Sequence, residues 1–153
     1  MVPRFSVQHL DVERLLSNWR WLCTDEGTLI ARNAFADLFL CNKAGNILRL
    51  DVSAGTLAKV ADSEAQFRQM AETEEKHQEW FAESDERTAA SRGLTPDTNQ
   101  CIAFAVPLAF AESASNNKPF VVDIYQHVGF SGDMHKQLSH LPKGTKVRLK
   151  VVP

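Results

Sequence analysis

The chain has 153 residues, 44% of them apolar, with 17 Lys+Arg against 19 Asp+Glu for a net charge of −2. A domain of this size buries roughly 70% of the surface its unfolded chain exposes, so it needs neither disulfides nor a structural metal to hold it together. The charge balance gives no sign of a sequence-independent grip on nucleic acid, which requires a basic face, although it leaves room for a local basic patch, and the longest apolar run, Cys101 to Ala111, falls far short of the ~20 residues that span a bilayer.

The N-terminus meets His9, Asp11, Glu13 and Arg14 before any apolar signal-peptide core can form, and Cys23, Cys41 and Cys101 are too dispersed for a CxxC motif. These features predict a cytoplasmic chain with reduced thiols. Asp11 then caps a short amphipathic helical segment over about 11–22, with Leu15, Leu16 and Trp19 on its apolar side. Phe35–Cys41 and Asn46–Val52 flank the turn residues Asn42-Lys-Ala-Gly45, a hairpin signature, and Thr56–Val60 follows the Ser53-Ala-Gly55 turn as a third antiparallel strand.

Ser63 and Gln66 form a capping pattern that opens a long helix from about Glu64 to Ala90, with Phe67, Met70, Ala71 and Phe81 near one face. Thr95–Gln100 reads as a loop, Cys101–Val106 as a strand and Ser113–Pro119 as a second loop. Asp123 and Gln126 repeat the capping pattern, and Ile124, Val128, Ser131, Met134, Leu138 and Leu141 step along a second long helix that Pro142 ends. Gly129 and Gly132 inside it predict close backbone packing. Val147, Leu149 and Val151 alternate with Lys146, Arg148 and Lys150 as a C-terminal strand with a basic outer face. The fold class is α+β: one domain over 1–153, an antiparallel sheet made of a meander and a C-terminal strand, packed with two long helices.

The residues offer little catalytic chemistry. His127 and His135 share a helix face but stand about 12 Å apart along the axis, too far for two ligands of one zinc, and His140 points elsewhere. No metal and no cofactor is expected. Gly129-Phe-Ser-Gly132 lacks the full G-x-S-x-G spacing that would make Ser131 a nucleophile, and no phosphate-cradling glycine loop occurs. Glu72, Glu75, Glu79, Glu83 and Glu86 recur every three or four residues and lay an acidic stripe along the first long helix, a solvated face or a docking surface for a basic partner. Trp80 and Phe81 beside it read as core.

Two blocks carry a family resemblance. Asn33-Ala-Phe-Ala-Asp-Leu-Phe-Leu40 with Gly45-Asn-Ile-Leu-Arg-Leu-Asp51, Ser63 and Phe67 forms the first; Cys101-Ile-Ala-Phe-Ala-Val-Pro-Leu108, Asp123-Ile-Tyr-Gln-His127, Gly132-Asp-Met-His-Lys-Gln137 and Leu141-Pro-Lys-Gly144 form the second. Over roughly two thirds of the chain this resembles the C-terminal domain of Tdi-type immunity proteins of type VI secretion, which look broadly like the SUKH (Smi/Knr-like) immunity proteins. Ala36 departs from the pattern, where a Gly is usual, as does Phe110-Ala-Glu112 in place of a Gly-Gly turn. The short region ahead of the hairpin is read as lacking the extra N-terminal domain of longer relatives. The resemblance implies a cytoplasmic antitoxin that occludes a secreted toxin, a nuclease or another nucleic-acid-modifying enzyme, and carries no catalytic residue with it. On that reading Glu72, Glu75, Glu79, Glu83 and Glu86 face the toxin, with no direct nucleic-acid or membrane contact, and the basic Lys146, Arg148 and Lys150 strand is the next surface to test. The rival readings are a small hydrolase using His127 or His135 with a carboxylate, and a scaffold without a toxin.

Overall fold

The computed structural model describes residues 5–114 and 117–147. Its centre is an antiparallel meander of β1 (Glu26–Arg32), β2 (Leu38–Asn42), β3 (Ile47–Asp51) and β4 (Thr56–Ala61), each strand beside its neighbour in sequence. Tight links make this order: the Asn42 carboxamide oxygen accepts the Asn46 N–H at 3.0 Å in one turn, and Asp51 Oδ1 accepts that of Ala54 at 3.0 Å in the next. The expected hairpin and third strand are present. β1 has no period-two signal because its pairing with β2 shifts register twice, which twists its side chains out of strict alternation.

Both faces of the sheet are covered. Leu38, Leu40 and Leu50 turn to one side, against Leu15, Leu16 and Trp19 and against Ile124 and Val128. Phe39 and Ile47 turn to the other, against Phe67, Ala71 and Trp80. The N-terminal segment is α-helical only at α1 (Val12–Leu15); beyond it, turns such as Trp19 N–H to Leu16 carbonyl, 2.9 Å, keep Leu15, Leu16 and Trp19 all on the sheet.

The expected helix over 64–90 is three helices: α2 (Glu64–Ala71), α3 (Glu74–Phe81) and α4 (Glu83–Ala90). On one continuous helix Phe67 and Trp80 would point about 140° apart, at 100° per residue. Breaking it at Thr73, whose hydroxyl caps α3 by accepting the Lys76 N–H, lets both aromatics meet the sheet, their rings stacked 4.9 Å apart. Ala82 breaks it again with a left-handed backbone, φ 49°.

A second hairpin, β5 (Gln100–Phe104) and β6 (Pro119–Asp123), joins the meander where the Ile102 N–H donates to the Ala34 carbonyl at 2.8 Å. The sequence places β5 but not β6, whose short half-buried pattern begins at a proline. Asp123 then caps α5 (Ile124–Leu138), the one long helix of the expected pair. Gly132 on α5 meets the N-terminal segment as expected of a close approach: a Cβ there would lie 2.6 Å from the Asn18 carbonyl oxygen. Val147 is exposed and outside any strand, and the rest of the expected C-terminal strand, with Arg148 and Lys150, lies outside the described residues.

Candidate functional site

The acidic stripe does not form as one face. Glu72 ends α2, Glu75 and Glu79 lie on α3, and Glu83 and Glu86 follow the left-handed turn at Ala82 on α4. Glu72, Glu75 and Glu79 are exposed, with Glu79 bonded to Lys76 at 2.9 Å. Glu83 is half-buried and meets His77 Nε2 at 2.7 Å, while Glu86 is buried. The helical spacing that suggested a stripe is interrupted twice: Glu86 is withdrawn into the fold, and Glu83 keeps about half of its side chain in solvent, as Glu79 does, but on a different helix.

What the fold does build is a cleft of about 470 Å³ between the end of the β2–β3 hairpin, the β5–β6 hairpin and α5. A second hollow of about 400 Å³ continues from it toward α4, sharing Phe35, Ala82, Ile102, Phe104 and Leu108. One wall is the turn 33–37. The Asn33 carboxamide oxygen accepts the N–H groups of Phe35 and Asp37, each at 3.0 Å, while its amide group donates to the Trp80 carbonyl at 3.0 Å. This holds Ala36 at φ 69°, the conformation glycine adopts at least cost. The same turn delivers Asp37, only 6% exposed, to Arg49, whose Nη2 and Nε both donate to Asp37 Oδ2 at 2.6 and 3.2 Å.

The opposite wall is the β5–β6 loop, clamped where Asn117 exchanges hydrogen bonds with the backbone of Val106 at 2.7 and 2.8 Å. Phe35 and Phe104 stack in parallel at 6.4 Å across the cleft's interior. Its mouth carries three exposed apolar side chains: Leu108 (46% exposed), Phe120 (43%) and Phe130 (43%). Asp51, Ser53, His127 and Ser131 complete the polar lining.

Electrostatics divide the cleft into a charged end and an apolar mouth. Burial is the main reason the Asp37 carboxyl titrates above its ordinary value; repulsion from Asp51 adds to it and the Arg49 guanidinium opposes both. Burial pushes the His127 imidazole down to about 4, so it is neutral at pH 7 and a weak base there. His135 lies outside the cleft: its Nε2 meets the Ser53 carbonyl at 3.1 Å and its ring lies against Gly55 and Trp19. The structure therefore separates the two histidines that sequence spacing placed on one face. Among the described residues no group of three or more His, Cys, Asp or Glu side chains could hold a metal ion. Cys23 and Cys101 are buried thiols pushed up to about 12 by desolvation.

Asp37, Arg49, Asp51, Leu108, Phe120 and Phe130 do not stand out as a site in the sequence. The only available signal is Phe130, which falls off the apolar stripe of α5 between Val128 and Ser131. Trp80 belongs to the core as read, at 2% exposure. No helix among the described residues is long and apolar enough to cross a membrane. No family model, no curated protein and no solved structure matches the chain.

Proposed function

We propose that this chain is an immunity protein, a cytoplasmic antitoxin that binds a cognate secreted toxin and covers its working surface without turning over any substrate. The observation that carries the reading is the cleft mouth: Leu108, Phe120 and Phe130 expose apolar surface together at one place, around a charged interior. Exposed aromatic clusters of this kind anchor protein interfaces, where a few side chains dominate the binding energy. The family resemblance supplies the class of partner, a nuclease or another enzyme that handles nucleic acid. Such an enzyme presents basic surface, and Glu72, Glu75 and Glu79 offer it a charged approach that governs association rate and salt dependence.

The test is co-expression with a candidate secreted toxin, sought first among the products of neighbouring genes. Growth should be rescued, the purified chain should hydrolyse no nucleic acid, and Phe130→Ala should weaken toxin binding by about 30-fold, the equivalent of a 2 kcal/mol hot spot. Loss of protection in a stably folded His127→Ala variant that still binds toxin would instead favour the hydrolase.

A further inference from the structure

We infer that the outer edge of β5, at Ile102 and Phe104, takes an extended segment of the protein partner as an added strand, whose side chains fall alternately into the two hollows beside it. The inference deepens the binding reading above and rests on it.

Backbone hydrogen bonds carry it. The Ala105 N–H donates to the Lys118 carbonyl and the Ile124 N–H to that of Asn99, each at 2.9 Å, which fixes the β5–β6 ladder. Cys101 and Ala103 bond to β6, while Gln100, Ile102 and Phe104 turn their N–H and C=O groups to the opposite edge. Along that edge the first three groups are taken. The Gln100 N–H donates to the Asp97 carbonyl at 3.1 Å, the Gln100 carbonyl accepts from Arg32 Nη2 at 2.6 Å, and the Ile102 N–H donates to the Ala34 carbonyl at 2.8 Å. The segment that supplies Arg32 and Ala34 then leaves: in the turn 33–37 the N–H groups of Phe35, Ala36 and Asp37 all donate back to Asn33. The Ile102 carbonyl and both backbone groups of Phe104 are left with no hydrogen-bond partner among the described residues. An edge in this state is completed by another extended backbone.

The surroundings suit a single strand. The edge stands where the two hollows meet, and each hollow takes in one face of the hairpin. Ile102, Phe104 and Pro119 line the one of about 400 Å³ under α4, and Ala103, Ala105 and Phe120 line the cleft of about 470 Å³ against α5. Successive side chains of a strand point to opposite faces, so one added strand fills both hollows at once. Phe35, Phe104 and Leu108 border both, so neighbouring side chains of the segment are apolar. No proline or lysine in β5 blunts the edge, and its place in a recess keeps out a second sheet: Ile102 is 1% exposed and flanked by α4 and α5. A thin segment of a partner enters there, and the body of that partner covers Leu108, Phe120 and Phe130 at the mouth.

The experiment titrates the isotope-labelled full chain with acetyl-Lys-Val-Leu-Val-Lys-amide and reads amide hydrogen exchange by NMR. The peptide should bind with a Kd in the millimolar range, slow exchange of the Phe104 N–H by about fivefold or more near saturation, and leave that of the already bonded Ile102 N–H unchanged. The same peptide N-methylated at its three central residues, which has lost the donors a ladder needs, should bind at least about tenfold more weakly. Phe104→Pro removes an N–H that lies outside the β5–β6 ladder and should weaken the parent peptide by about tenfold or more, whereas Phe104→Leu, which keeps the N–H, should weaken it by less than about threefold. Unperturbed signals in β1 to β4 establish that each variant is folded; should Phe104→Pro not fold, the methylated peptide and the Phe104 exchange decide the matter. No binding, equal binding of the methylated peptide, unchanged Phe104 exchange, or equal loss in the two folded variants overturns the inference. Slow Phe104 exchange in the free chain that deletion of residues 148–153 abolishes makes this chain's own segment the occupant, and slowing that grows with protein concentration makes it a second copy; either overturns the partner strand. Rescue from a toxin is scored separately, so these outcomes leave the immunity reading standing or falling on its own test.

Discussion

The two faces of the sheet are held by different physics. On the α2 and α3 side, Phe39 packs on Phe67, Trp80 and Phe81 with ring centroids 5.1–5.7 Å apart. That face depends on contact area, and its aromatic cluster makes few directional demands. On the α1 and α5 side the apolar contacts are tied by bonds to specific atoms: Trp19 Nε1 donates to the Val128 carbonyl at 2.8 Å and Asn18 Nδ2 to that of Gly129 at 2.9 Å. Gly132 and Gly55 let backbone and imidazole come closer than a Cβ permits. The difference bears on function, because α5 is also a wall of the cleft. The directional face fixes where His127, Phe130 and Ser131 stand, while the aromatic face supplies bulk stability behind them.

The strongest way to break this contrast is Trp80→Ala. Removing a nearly fully buried indole should cost about 3–5 kcal/mol, read from urea unfolding, and should leave the amide signals of α5 in place. Survival of the variant with less than about 1 kcal/mol lost would show that the aromatic face carries little of the stability.

Acid should loosen the other face selectively, since both histidines of α5, half-buried His127 and buried His135, titrate below their ordinary value of 6.5, His127 at about 4. The folded chain holds them neutral, so as pH falls through 6.5 the unfolded chain takes up protons first and stability declines until about pH 4. His127 alone accounts for about 2 kcal/mol at pH 5 relative to neutral pH. Urea unfolding of the parent and of His127→Gln at pH 7 and pH 5 checks this: the variant should lose correspondingly less, and equal losses would remove His127 from the account.

The smallest expected effect sharpens the contrast at one atom. Gly132→Ala overpacks the α5 contact with Asn18, a cost of about 1–3 kcal/mol that alanine's better helix propensity offsets by about 1. Net destabilisation should be about 1 kcal/mol, with amide shifts concentrated around Asn18 and Trp19. An increase in thermal stability would mean that the close approach is not required.

The sequence was most legible where one local rule acts alone. The Asn42–Asn46 and Asp51–Ala54 turns, the Ser63 and Asp123 caps, and the close approach at Gly132 each follow from nearby residues. It was least legible where distant packing overrides propensity. From Glu64 to Ala90 nothing in composition forbids one helix, and the breaks at Thr73 and Ala82 exist because Phe67 and Trp80 must reach the same sheet. The acidic stripe failed with that helix. The cleft was hidden for a related reason: Asp37 and Arg49 read as polar positions of a hairpin, and their pairing beside His127 depends on a helix that begins far along the chain.

The way the strands end also bears on how the chain behaves in a crowded solution. An open strand edge is a template for another chain, and three of the edge strands here carry their own deterrent. β1 is distorted by two register shifts, β4 presents Lys59 in mid-strand with Asp62 bonded to it, and β6 opens with Pro119, which has no N–H to offer. A protein that displays Leu108, Phe120 and Phe130 for a partner needs its other sticky surfaces blunted. Of the exposed large apolar side chains, Leu108, Phe120 and Phe130 gather at the cleft while Leu141 and Val147 stand apart from it, and self-association through these strand edges is discouraged.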